Sequence, residues 1–121
     1  MEDIQRGIDT IGLPLLRKTE EIIDYLKPKY YFIENPQTGQ MKKYIDRPFY
    51  DVDYCKYTDW GYRKRTRIWT NKEEYNNLLC KNDCDNMDGN KHRCKVDCLK
   101  GGLKNKYRVP PALIEGLINV T

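Results

Sequence analysis

The segment Tyr30-Tyr31-Phe32-Ile33-Glu34-Asn35-Pro36 constrains this chain more than any other. Four aromatic or branched residues in succession, just after the helix-stopping pair Lys27-Pro28, predict a short buried strand. Such a run suits the centre of an α/β sheet, where both faces are covered. In those sheets ligands bind in the crevice beyond the carboxyl ends of the strands. Glu34 and Asn35 are therefore expected at a functional rim. Pro36 has no N–H to extend the ladder and turns the chain away. A strand followed by a solvated turn is the plainer reading of the same residues.

The flanking sequence supplies the elements such a strand needs. Pro14 fits the first turn of a helix, and Leu15, Leu16, Thr19, Ile22, Ile23 and Leu26 recur at helical spacing. Arg17, Lys18, Glu20, Glu21 and Asp24 fall largely opposite, so an amphipathic helix over 14–26 should lay one face on a sheet. Residues 1–12 read as a ragged entry. After a loop at Gln37-Thr38-Gly39 and a helical turn from Met41 to Ile45, Phe49–Tyr57 alternates as a strand. A turn at Thr58-Asp59-Trp60-Gly61 and a strand over Thr66–Thr70 complete a hairpin. The expected fold class is α/β: a single partial domain with a core at 13–71, a Cys-rich segment at 72–104 and a closing stretch at 105–121. In that stretch Tyr107-Arg108-Val109-Pro110-Pro111 opens a helix whose Leu113, Ile114, Leu117 and Ile118 should dock on the core.

Charge and cysteines narrow the function classes. Of the net +4, much gathers between Lys42 and Arg67, where eight Lys/Arg face four Asp. Arg63 and Lys64, beside Trp60 and Tyr62, offer cations for phosphates and rings for bases, as a nucleic-acid-facing loop requires. A solvated surface loop is the alternative. No apolar run is long enough to span a membrane and no signal-peptide core opens the chain, so an intracellular, non-secreted location is expected. In a reducing compartment the five cysteines serve as thiols or metal ligands. Cys80-x3-Cys84 and Cys94-x3-Cys98 predict a tetrahedral structural Zn²⁺ site, with His92 as alternate ligand. Flexible thiols without metal are the other possibility. Cys55, in a predicted strand, reads as a buried inert thiol.

Two pieces taken together carry a family resemblance. Phe32-Ile33-Glu34-Asn35-Pro36 resembles the Glu-Asn strand-end motif of the cytosine-5 DNA methyltransferases. Tyr57 to Trp69, ending Arg65-Thr66-Arg67-Ile68-Trp69, resembles their later Gln-x-Arg-x-Arg motif, with Arg63 in place of Gln. The wording Tyr-Cys-x-Tyr…Arg-x-x-Ile-Trp-Thr-Asn and the closing Arg-Val-Pro-Pro-Ala-Leu are similar to methyltransferase-like proteins of viruses and phages.

The resemblance implies the C-terminal half of a methyltransferase-type, doubly wound Rossmann-like fold with a Cys-rich insertion. It also implies a flipped cytosine in DNA as substrate. Glu34 would act at cytosine N3, Arg67 near O2 with Arg65 in support, and Asn35 and Pro36 would position the strand end. No Asp-x-Phe-x-Gly-x-Gly loop and no Pro-Cys dipeptide occur in the chain. S-adenosylmethionine and the nucleophilic cysteine would therefore come from a complementary N-terminal half. The alternatives are a remnant or truncation inactive alone, and a non-catalytic nucleic-acid-binding module stabilised by a Cys-rich zinc site.

Overall fold

The computed structural model describes residues 2–73, 77–94 and 108–119. The chain opens with α1 (Glu2–Gly7), which runs through a π-helical stretch, Ile8–Gly12, into α2 (Leu13–Leu26). Helix thus replaces the ragged entry expected from the sequence. Neither Gly7 nor Gly12 breaks it, since both hold right-handed helical dihedrals. Lys27 ends α2 in the left-handed region (φ 47°) and donates its N–H to the Ile23 carbonyl at 2.9 Å. Pro28 then prevents resumption.

Three strands form the main sheet: β1 (Phe32–Pro36), β2 (Phe49–Asp53) and β3 (Arg65–Thr70), in the order β1-β3-β2 and all antiparallel to their neighbours. The expected hairpin is present as β2 and β3, with Asp51 opposite Arg67. β2 is shorter than its alternation suggests, because Tyr54–Lys56 coil into a 3-10 turn. The centre is β3, and β1 stands beside it at one side; the central placement expected of Tyr30–Ile33 belongs to Arg65–Thr70 instead. Burial gives the reason: Thr66, Ile68, Trp69 and Thr70 are buried, whereas Phe32 and Glu34 are exposed. Along the outer side of β2, the Asp53 N–H donates to the Leu78 carbonyl and Asn77 donates to the Asp51 carbonyl. A second, two-stranded hairpin pairs β4 (Met87–Asp88) with β5 (Lys91–His92).

Helices cover both faces of the main sheet. On one, Leu16 of α2 packs with Trp69 and Ile45. On the other, Leu113 and Leu117 of α3 (Pro111–Asn119) pack with Val52, Tyr54, Tyr62 and Ile68. Of the expected docking residues, Leu113 and Leu117 are buried while Ile114 and Ile118 remain exposed. The architecture is mixed α and β with small antiparallel sheets. Among the described residues no helix is long and apolar enough to cross a membrane.

Candidate functional site

Alternation along β1 and β3 decides where the strand-end residues point. Glu34 pairs with Ile68, and Asn35 with Arg67. Paired residues share a face and neighbours in sequence do not. Glu34 therefore emerges on the α3 face, and Arg65 and Arg67 on the α2 face with Asn35. The structure does not bring Glu34 and Arg67 together. Glu34 lines a cleft of about 210 Å³ with Phe32, Tyr54, Ile68 and α3. Asn35 and Pro36 line a separate cleft of about 370 Å³, with Leu13, Leu16, Met41 and Tyr44.

The charges on the two faces are arranged differently. Arg67 donates Nε and Nη2 to the two Asp51 carboxylate oxygens at 2.9 and 3.1 Å, with its guanidinium 3.8 Å over the Phe49 ring. Arg65 forks onto Asp53 in the same way, at 3.1 and 2.9 Å. Such paired bonds match guanidinium to carboxylate geometry, and Asp53 holds Arg65 above its ordinary value. On the opposite face, Tyr54 is wholly buried and its hydroxyl is pushed up by burial. Burial lowers Lys64, and the Glu34 carboxylate opposes that shift. Lys64 also lies over the Tyr54 ring.

The predicted aromatic pair is engaged within the protein. Tyr62 is buried in the core under α3, and Trp60 packs against the same cluster with the Arg108 guanidinium 3.7 Å over its ring. Tyr62 thus has no open face, while Trp60 stays half-buried beneath Arg108. Of the four residues expected to face DNA, Arg63 is the exposed one.

The cysteine-rich segment yields the tightest cluster, with a membership the spacing did not give. Cys55, Cys80, Cys84 and His92 bring one ligand atom each to within 4.8 Å of one another. His92 Nε2 lies 3.6 Å from Cys80 Sγ and 3.4 Å from Cys84 Sγ. Cys94, expected as a ligand, packs elsewhere: its Cβ faces Gly61 and its N–H donates to the Gly61 carbonyl. Cys98 lies outside the described residues.

Local structure explains the gathering. The 3-10 turn after β2 presents Cys55. Between Cys80 and Cys84 the chain turns through Asn82 in the left-handed region (φ 62°), which Asn tolerates best after Gly. Asp83 accepts the Lys81 N–H at 3.2 Å and pairs with Lys56 at 3.3 Å. Gly89 (φ 67°) closes the β4–β5 hairpin and returns His92 to the sulfurs. Burial, together with the neighbouring Cys80 and Cys84 thiols, pushes Cys55 up. Burial alone would raise Cys80 too, but the Asp83 and Asn82 backbone and the Cys55 and Cys84 thiols bring it below its ordinary value. Sequence reasoning missed Cys55 because it is remote in sequence. Its place two residues beyond Asp53, at the end of a strand, was the available signal.

The chain is 45% identical over 133 residues to a "Probable DNA (cytosine-5)-methyltransferase" of Frog virus 3 (isolate Goorha). The match takes in 98% of this chain and 62% of that protein, so the chain spans about three-fifths of its relative's length. No protein-family model and no solved structure matches the chain.

Proposed function

Because the chain belongs to the cytosine-5 DNA methyltransferase family, matching its viral relative over part of that protein's length, we propose that it is the C-terminal part of a methyltransferase-like protein acting on DNA. In this reading it forms the outer part of a larger, doubly wound sheet. A complementary half supplies the cofactor loop and the nucleophilic cysteine. The observation that carries it is the 45% identity over nearly the whole chain. Two features of the fold support it. Helices lie on both faces of the main sheet, and among the described residues no strand pairs with the free side of β1.

Attack of a thiolate on cytosine C6 builds negative charge on the ring, and an acid at N3 lowers that barrier. Glu34 takes this role. It is exposed, stands in the middle of β1 and borders a cleft. Arg65 and Arg67 act as positioning residues: forked onto Asp53 and Asp51 on the other face, they fix β3 against β2 and so fix the register that presents Glu34. Asn35 and Pro36 shape the turn that follows, with the Asn35 side chain lying under Gly39. The cleft behind Asn35 carries no acidic side chain for the ribose of S-adenosylmethionine. The cofactor is therefore assigned to the complementary half.

The test is complementation. Combined with a chain bearing the Gly-rich loop and Pro-Cys nucleophile, the protein should support transfer of labelled methyl groups to cytosine in duplex DNA. Glu34→Gln should lower turnover by about 10²–10⁴-fold, as expected for loss of an acid catalyst, with DNA retention nearly unchanged. A complex that assembles yet transfers no methyl group, or turnover indifferent to Glu34→Gln, would overturn the reading.

A further inference from the structure

We propose that Cys55, Cys80, Cys84 and His92 bind one structural Zn²⁺ that ties the 77–94 segment to the end of the main sheet. The inference is independent of the methyltransferase reading. Zinc–sulfur bonds of about 2.3 Å and a zinc–nitrogen bond of about 2.0–2.1 Å, at tetrahedral corners, place sulfur and nitrogen about 3.5 Å apart. The contacts of His92 Nε2 with Cys84 and Cys80 are 3.4 and 3.6 Å. All four ligand atoms lie within 4.8 Å of one another. Three sulfurs and an imidazole are a soft set suited to zinc rather than to magnesium or calcium. Four protein ligands leave no open position, so the site is structural and not catalytic.

On binding, the three thiols release their protons to solvent. His92 coordinates as the neutral ring through Nε2, which leaves its proton on Nδ1. The resulting net negative charge has two cations near it. Lys56 and Arg65 both feel the Cys80 sulfur, and each is also held by a carboxylate, Asp83 and Asp53 respectively.

Metal binding also reaches the sheet. The Cys80 N–H donates to Asp53 Oδ2 at 2.7 Å, and that carboxylate clamps Arg65. Hydrogen bonds of this kind, made to a ligand rather than to the ion, orient ligands and tune the metal. In the other direction, the ion fixes the backbone that orients Asp53.

Cobalt substitution in the 121-residue chain, kept reduced, tests the ligand set. One equivalent should bind, with the absorption bands of tetrahedral cobalt–thiolate. His92→Ala should weaken binding by more than about 100-fold, since losing a metal ligand costs more than losing a group that hydrogen-bonds to one. His92→Cys should keep one equivalent and raise the sulfur-to-metal charge-transfer intensity by roughly a third, as a fourth thiolate joins three. That variant keeps the test decisive if Cys55→Ala fails to fold. Cys94→Ser combined with Cys98→Ser should retain both stoichiometry and bands. Failure of the reduced chain to take up tetrahedral cobalt would overturn the proposal. So would cobalt lost with Cys94 and Cys98 but kept without His92, or a disulfide joining any of the three clustered thiols in protein made under reducing conditions.

Discussion

At Asp53 one carboxylate with no solvent exposure accepts both the Arg65 guanidinium and the Cys80 N–H. Removing one member of a buried pair leaves the other unsatisfied, which costs more than the pair contributes. Asp53→Asn should therefore lower stability by about 2–4 kcal/mol, discounted from the fully buried case because the Arg65 side chain is 39% exposed. Asp51 keeps more contact with water than Asp53, at 23% against none, although Arg67 at 16% is less exposed than Arg65. There Asp51→Asn should cost only about 1–2 kcal/mol. Urea denaturation of the two variants, compared for midpoint and slope, checks the ordering. Gly61 presents the other residue-scale demand. Its φ is +97°, and an added Cβ would meet Cys94 Cβ at 3.4 Å. Gly61→Ala should cost about 1–2 kcal/mol, mostly from the left-handed backbone, read as a lower melting midpoint.

Between elements, Asn86 stitches the 77–94 segment to the turn after β2. Its side chain donates to the carbonyls of Cys55 and Thr58 at 3.0 and 2.7 Å, and accepts from the Gly61 N–H and from Arg93 at 2.9 and 2.8 Å. Asn86→Ala leaves several of these buried groups without partners, each worth about 1–3 kcal/mol. A loss of about 3 kcal/mol is expected. Faster hydrogen exchange at the Gly61 amide should accompany it and would locate the damage. What could be read from the sequence follows the same division between local and remote. The α2 helix was legible because Leu16 and Ile23 recur at its period, and the β2–β3 hairpin because Phe49 to Asp53 alternates. Neither signal depends on the rest of the chain. The position of β1 was not legible, since Tyr30 to Ile33 have the composition of a doubly covered strand while Phe32 stays open. The ligand set was not legible either. Cys94 has the right spacing to Cys98, yet Cys55 reaches the cluster only because the segment folds back along β2.

For the molecule as a whole, apolar surface remains uncovered on one side. Leu15, Ile22, Tyr25 and Leu26 of α2 are 49–84% exposed, and Ile11 ahead of them is 63% exposed. They form the kind of surface that drives association. The isolated protein should therefore show a light-scattering mass that rises with concentration. Leu15→Lys together with Ile22→Lys should suppress that rise while leaving the circular dichroism unchanged. An unchanged, monomeric mass across concentrations would mean the patch has no such tendency. The placement of α3 has its own consequence for how the protein is made. The sheet face formed by Val52, Tyr54 and Ile68 is complete once Thr70 has been added, yet Leu113 and Leu117 cover it only more than forty residues later. At roughly 5–20 residues per second, a ribosome leaves that surface bare for roughly 2–10 s. A chaperone near the exit tunnel meets a greasy, half-finished platform in that interval.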